Sequence, residues 1–146
     1  MNEDEIKRAL LELFNIQKLA VLASNKQNQP YPNLIAFTCT DDLKNFIFVT
    51  KRDSIKFNNI MNNPQVSLLI DNRENQPSDF SSAIAVSVFG SAEEIKEDLD
   101  QHISLYLQKH PYLEDFVKSS DCALLKIHVE KYSMVSQFQN VQEIMI

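Results

Sequence analysis

The segment from Phe46 to Asp71 constrains the fold most, because it predicts a strand, a tight turn, a short helix and a second strand in close succession. Residues 46–50 combine aromatic and β-branched side chains over the length of one strand. Asp53 and Ser54 are good helix N-cap residues, and Pro64 ends the helix because proline cannot continue it. We expect this helix to pack through its apolar residues, which are Ile55, Phe57, Ile60 and Met61. The pattern therefore places a helix N-terminus beside the end of a strand.

A strand that leads into a helix N-terminus leaves several backbone N–H groups without acceptors and aims them at one point. Thr50 and Ser54 add hydroxyl groups at this point, and Lys51, Arg52 and Lys56 add positive charge. Together these groups predict a pocket for a dianionic phosphate. The alternative is a capped surface helix whose basic side chains are simply solvated.

Four pieces of the chain follow one another in a characteristic order. They are Gln29–Phe37, then Phe48–Thr50 with Ser54 and Lys56, then Asn62–Leu69, and finally Val86–Glu93. In this order they resemble the flavin-binding split β-barrels of the pyridoxamine 5′-phosphate oxidase superfamily. The resemblance covers residues 19–95 well and the C-terminal third loosely. It implies a mainly β fold, a six-stranded antiparallel split β-barrel with short peripheral helices, that binds FMN.

The resemblance also implies where the cofactor would lie. It places the FMN phosphate on Thr50, Ser54 and Lys56, with Lys51 or Arg52 assisting. It places the flavin ring along four consecutive residues and beside one residue of the following strand, namely Asn33, Leu34, Ile35, Ala36 and Val49. Members of the family bind flavin at a two-fold interface, so a homodimer is implied. The resemblance identifies no catalytic residue in this chain.

Several positions depart from the pattern of the oxidase proper. Asn33 and Thr38 stand where the oxidase has an arginine and a lysine, Ile55 stands where it has a basic residue, and Ala85 stands where a glutamine contacts flavin. The basic, tryptophan-containing C-terminal signature is also absent. We therefore expect an FMN-dependent oxidoreductase that acts on an unknown small molecule with an unknown electron donor. The alternative is a non-catalytic flavin- or haem-binding protein on the same fold.

Composition excludes several other classes of protein. One glycine in 146 residues excludes a G-x-G-x-x-G loop and a Walker A loop. A net charge of −6 argues against a nucleic-acid or anionic-membrane surface. Cys39 and Cys122 have no metal or redox spacing, which predicts free thiols in a reducing compartment. With no signal peptide and no apolar run that could span a bilayer, we expect a single cytoplasmic domain over residues 1–146.

The three histidines, His102, His110 and His128, have no zinc-ligand spacing, so no metal site is expected. His128 alternates with apolar residues and is expected to face solvent, while a haem ligand stays open as an alternative. The sequence also has no motif for serine-hydrolase chemistry.

The rest of the chain predicts strands and helices without a βαβ alternation. We expect a helix capped by Asn2, a polar loop over residues 71–82, and a bulge or close backbone approach at Gly90. The further elements are strands at 19–24, 31–40, 83–94 and 123–136, helices at 2–15, 98–109 and 112–118, and an edge strand within 138–146. Adjacent antiparallel pairs without crossover helices predict an antiparallel barrel with helices at its edges.

Overall fold

A computed structural model describes all residues, Met1–Ile146, as seven strands and five α-helices. The strands are β1 Leu19–Lys26, β2 Gln29–Cys39, β3 Asn45–Lys51, β4 Gln65–Asp71, β5 Ile84–Glu94, β6 Cys122–Ser136 and β7 Asn140–Met145. The helices are α1 Glu3–Ile16, α2 Ile55–Asn62, α3 Asp79–Ser82, α4 Leu99–Lys109 and α5 Glu114–Val117, with a 3-10 turn at Pro111–Leu113. None of the helices is long and apolar enough to cross a membrane.

Six of the strands close into an antiparallel barrel. The sheet order is β3-β2-β1-β4-β5-β6, and a further pairing of β3 with β6 completes the ring, while β7 extends β6 as an edge strand. The closing register runs from Asn45 opposite His128 to Lys51 opposite Cys122. Strands β2 and β3 pair only from Phe37 to Cys39 and then separate. The predicted six-stranded split barrel and the extra edge strand are thus confirmed.

Two apolar clusters hold the barrel together. The larger fills the barrel, and α1 closes one end of it with Leu10 and Phe14. The Phe14 ring packs edge-on against Phe46, with ring centroids 5.1 Å apart. The smaller cluster lies outside β3, where Ile47 and Val49 pack under α4. Because neighbouring residues of a strand face opposite sides, β3 is buried on both faces.

The single glycine marks an irregularity where β5 pairs with β6. The register shifts between Phe89 and Gly90, which is a β-bulge, as predicted. A Cβ atom on Gly90 would lie 2.2 Å from the backbone oxygen of His128. The close approach of these two strands therefore requires a residue without a side chain.

Three local predictions need correction. In α2 the buried residues are Asn59 and Ile60, whereas Ile55 and Met61 are about half exposed. A polar turn is predicted over residues 25–29, but β1 and β2 pair as far as Lys26 with Gln29 and leave a turn of only two residues, Gln27 and Asn28. Both have positive φ, because a type I′ hairpin matches the twist of its strands. The loop expected over 71–82 begins only after β4 and contains α3. Backbone N–H groups of residues 74–76 donate to the Asp79 carboxylate and order this loop.

Candidate functional site

The end of β3 and the start of α2 meet in a polar corner built from Thr50 and Ser54. Their hydroxyl oxygens lie 2.8 Å apart in a hydrogen bond. The Ser54 hydroxyl also accepts from the backbone N–H of Phe57 at 3.2 Å, so Ser54 is the N-cap of α2, as predicted. Thr50 is 1% exposed. The sequence therefore brings two of the predicted phosphate ligands together.

Lys56 lies in the first turn of α2, two residues after Ser54, where the helix also has free N–H groups. The first N–H groups of a helix have no partner within it, and Ser54 caps only that of Phe57. Lys56 precedes the buried Asn59 and Ile60 by three and four residues, so it lies on the face of α2 that turns to the barrel. It is partly buried, and this burial lowers its pKa. Lys56 forms no ion pair within the chain, so its charge is available to an anion.

The two other basic residues of the segment are placed differently. Arg52 forms a two-pronged pair with Glu94, with N–O distances of 3.0 and 2.6 Å. Hydrogen bonding to this guanidinium lowers the pKa of the Glu94 carboxyl. Lys51 is exposed, and strand alternation directs its side chain to the face opposite Thr50. Lys56 is therefore the basic residue of the segment best placed to act at the corner.

The residues expected along a flavin ring lie beside the gap between β2 and β3. The last β2–β3 pair is Phe37 with Phe48, and beyond it the strands separate. Residues 33–36 precede Phe37 and Val49 follows Phe48, so both lie where the strands part. Ile35 points into the barrel core, Leu34 is 65% exposed, and the Val49 side chain packs under α4. The Ala36 carbonyl accepts from the Tyr106 hydroxyl at 2.9 Å. Contact of these residues with a ligand stays a prediction.

Asn33 has a side-chain acceptor that no group of the protein satisfies. Its side-chain oxygen is shielded from solvent and has no hydrogen-bond partner. A shielded acceptor without a donor is costly, so a donor at this point would be favourable. FMN carries such donors, namely an N–H group on its ring and hydroxyl groups on its ribityl chain. The unpaired acceptor of Asn33 is therefore compatible with the expected flavin.

One face of the barrel has no helix over it and carries large apolar side chains. Across β2, β1 and β4, Leu34, Val21 and Leu69 lie in one row on the outer surface. Phe89 lies in the next row, opposite Ser67 of β4. Leu69 and Phe89 are each 39% exposed. Large aromatic residues usually belong to the core, but Phe89 lies on the outer face of this sheet, which is itself apolar.

The histidines do not converge. His110 is buried, with Nε2 2.6 Å from the Phe37 carbonyl oxygen, and the His102 ring bonds to the Asp98 carbonyl oxygen. His128 is exposed, as predicted, and pairs with Glu93 at 2.9 Å. No cluster of three or more His, Cys, Asp or Glu side chains suits a metal ion.

Comparison of the sequence with protein families finds one match. The model of the family described as pyridoxamine 5′-phosphate oxidase matches residues 6–136. No curated protein matches the sequence.

Comparison with solved structures finds the same fold. A heme binding protein from Mycobacterium smegmatis has a TM-score of 0.84 at 14% identity, with 99% of this chain and 58% of that chain covered. Campylobacter jejuni ChuZ has a TM-score of 0.84 at 18% identity, with 99% and 61% covered. A Clostridium acetobutylicum protein related to general stress protein 26, of the pyridoxinephosphate oxidase family, has a TM-score of 0.76 at 15% identity, with 99% and 97% covered. The chain thus spans about three fifths of the first two proteins, and these likenesses show the fold alone.

Proposed function

Because the chain belongs to the pyridoxamine 5′-phosphate oxidase family, we propose that it binds FMN and acts as an oxidoreductase on a small molecule. The observation that carries this proposal is the corner at α2. Two hydroxyl groups lie there 2.8 Å apart beside the free backbone N–H groups at the start of α2, and the partly buried Lys56 follows in the first turn of the same helix. Hydroxyl, N–H and lysine groups of this kind bind phosphates.

Each part of the chain has a separate task in this proposal. Thr50, Ser54 and Lys56 hold the phosphate, without Lys51, whose side chain faces away from Thr50. Residues 33–36 and Val49 position the ring, with Asn33 supplying an acceptor for its N–H or for a ribityl hydroxyl. FMN, when bound, supplies the hydride and electron transfer, which side chains cannot perform themselves.

We further propose that the protein is a homodimer with the flavin at its interface. The apolar outer face of β2, β1 and β4 supports this assignment, because exposed Leu34 and Leu69 would be covered by a second copy. Leu34 lies within the segment assigned to the ring, so the proposed interface and the proposed flavin site share an edge.

A second candidate is a non-catalytic haem- or flavin-binding protein. It is supported by the heme binding protein among the similar structures, whose fold matches nearly the whole of this chain. Of the three histidines, His128 is exposed, His102 is half-buried and His110 is buried. His128 and His102 are therefore the histidines that an added haem could reach.

The two candidates differ in what the purified protein carries. We expect a yellow protein with flavin absorbance that releases a compound of the mass of FMN on denaturation. Reduction of the bound flavin by NADH or NADPH, followed by reoxidation with a substrate, would establish an enzyme. A Soret band without flavin would favour the haem-binding candidate, and a colourless protein that takes up no added FMN would contradict the flavin assignment.

A further inference from the structure

A polar groove lies between α2 and the β1–β2 hairpin. Its walls are hairpin residues 25–28 and four asparagines of the helix and its end, Asn58, Asn59, Asn62 and Asn63. The groove has a volume of about 460 Å³, and pockets for small organic ligands have volumes of about 300–1,000 Å³. We call this feature the asparagine groove. It is large enough for a small organic molecule.

The wall of the asparagine groove contains a buried amide that the protein does not fully satisfy. Asn59 is 2% exposed, and its Nδ2 donates to the buried Ser24 hydroxyl at 3.1 Å, but its Oδ1 accepts no hydrogen bond. Turning this amide over would bond Oδ1 to the Ser24 hydroxyl and leave the NH₂ group unpartnered instead. One buried polar group therefore lacks a partner in either orientation, and a partner from outside the chain would be favourable.

A second shielded acceptor lies on the hairpin side of the asparagine groove. The side-chain oxygen of Asn25 is hidden from solvent and has no donor. Strand β1 pairs with β4 only from Val21 to Ala23, so Asn25 has no β4 neighbour that could supply one. Both walls of the groove thus present an oxygen that requires a hydrogen-bond donor.

The lining selects among the chemical classes of ligand. It contains no carboxylate to attract a cation and no apolar or aromatic side chain on which a planar ring could stack, and its one charged residue is the exposed Lys26. A phosphate dianion has acceptors but no donors, so it could not satisfy the oxygens of Asn25 and Asn59. A hydroxyl group both donates and accepts, so it can satisfy a carboxamide in either orientation.

We propose that the asparagine groove binds a polyol, a neutral open-chain molecule with a hydroxyl group on each carbon. Such a chain has no ring face that requires an apolar surface. Asn58 and Asn62 are one helical turn apart, with Cβ atoms about 5–6 Å from each other, so both can contact the same chain. Asn62 already donates to the Asn58 carbonyl at 2.8 Å, which leaves its Oδ1 to accept from a hydroxyl group. The proposal does not depend on the flavin assignment.

The test compares two probes of equal chain length on the whole chain. D-sorbitol has a hydroxyl group on each of its carbons, whereas 1,6-hexanediol has them only at its ends. Side-chain amide signals in proton–nitrogen NMR spectra report binding even when it is weak. Sorbitol should shift the amide signals of Asn58, Asn59 and Asn62, and it should bind at least about tenfold more tightly than 1,6-hexanediol.

Two variants test the asparagine groove by different routes. Replacing both Asn58 and Asn62 by alanine should lower the affinity for sorbitol at least about tenfold, and both residues are exposed on a helix, where alanine is well tolerated. Combining Ser24→Ala with Asn59→Leu replaces a buried polar pair by apolar groups. Because both partners are removed, the urea midpoint should not fall, while sorbitol binding should be lost. The control is Asn15→Ala, an exposed asparagine of α1, which should change neither quantity.

Three results would overturn the proposal. The first is an equal affinity for sorbitol and 1,6-hexanediol, and the second is undiminished sorbitol binding in either double variant. The third is the absence of any shift with sorbitol, which would show that the groove holds only water. Inorganic phosphate is a further probe, and shifts with phosphate in place of sorbitol would show an anion site instead. None of these results bears on FMN, so the flavin assignment is tested separately.

Discussion

Thr50 and Ser54 join the end of β3 to the start of α2 through hydroxyl oxygens that lie 2.8 Å apart. One side of this pair is anchored in the barrel, since Thr50 is almost fully buried, and the other caps the helix through the N–H of Phe57. The direction in which α2 points its free N–H groups is therefore set by the protein before a ligand arrives. Such preorganisation lowers the entropic cost of binding.

Substitutions at Ser54 can separate capping from phosphate binding. Ser54→Ala removes the cap and should lower the free energy of unfolding by about 1 kcal/mol. Ser54→Asp keeps an N-cap acceptor, so its free energy of unfolding should stay within about 0.5 kcal/mol of the wild type. Its negative charge should nevertheless weaken FMN binding at least about tenfold. Urea unfolding measures the first effect and flavin titration the second. Normal FMN affinity in Ser54→Asp would show that the phosphate does not bind at this corner.

Lys56→Ala tests the charge at the same corner. A charge-assisted hydrogen bond to phosphate is worth about 1.5–3 kcal/mol, so FMN affinity should fall about tenfold or more. The control is Lys7→Ala on α1, an exposed lysine whose only ion pair is with Glu3. Equal FMN affinity in both variants would place the phosphate elsewhere.

Leu69→Asp tests the proposed interface. A carboxylate on the apolar outer face should weaken dimerisation at least about tenfold, because it would be buried without a partner. Leu99 gives a matched control, since it is 42% exposed against 39% for Leu69 but lies on α4. Sedimentation velocity should show a dimer for the wild type and Leu99→Asp and a monomer for Leu69→Asp at low micromolar concentration. A dimer in all three proteins would show that another surface associates.

Lys109 should make stability depend on pH. Its Nζ donates to the Phe14 carbonyl at 2.7 Å and lies 3.7 Å from the centroid of the Phe37 ring. Burial lowers its pKa from 10.5 to about 8. Between these two pKa values the unfolded chain binds more protons than the folded one. Burying the charged amine therefore destabilises the folded protein fully below pH 8, and this destabilisation decreases as the pH rises toward 10.5.

Comparison with Lys109→Met isolates this effect from that of Cys39, whose buried thiol has a pKa raised to about 12 and acts in the opposite direction. The free energy of unfolding of the wild type relative to Lys109→Met should rise between pH 8 and 10.5. The slope should be at most about 1.4 kcal/mol per pH unit. A difference that is independent of pH would show that Lys109 titrates normally.

Gly90→Ala should destabilise the barrel. The new methyl group would meet the His128 backbone oxygen at 2.2 Å, and a backbone atom cannot move away as a flexible side chain can. Overpacking of this kind costs about 1–3 kcal/mol, measurable as a lower urea midpoint. Ser91→Ala on the same strand is the control. An equal urea midpoint for both variants would show that the β6 backbone moves aside at little energetic cost.

Local signals made the segment around α2 predictable. Ser54 marks the helix start by its capping chemistry and Pro64 lies just beyond the helix end, so neither depends on the rest of the molecule. Closure of the barrel followed from the absence of crossover helices together with the resemblance. The residues proposed to contact FMN stay a prediction, because their contacts depend on a ligand and a second copy of the chain.

Other features depend on distant contacts and gave no local signal. Nothing in the local sequence marks Asn59 as buried, but its amide donates to the Ser24 hydroxyl in another part of the barrel. Leu43 adopts a positive φ, a backbone conformation that is unfavourable for leucine. Burial of its side chain and a hydrogen bond from the Tyr132 hydroxyl to its carbonyl stabilise this conformation. Phe89 alternates as a core residue would, and sequence alone does not say which face of a strand turns inward.

The pairing of β3 with β6 also sets an order of events during synthesis. Strand β3 is made early, yet the neighbour that covers one of its edges is the last strand of the ring. A growing chain therefore exposes that edge, with Ile47 and Phe48 beside it, until β6 has left the ribosome. Unpaired strand edges of this kind promote aggregation of nascent β proteins. Chaperone protection therefore matters most for this chain in the interval before β6 pairs with β3.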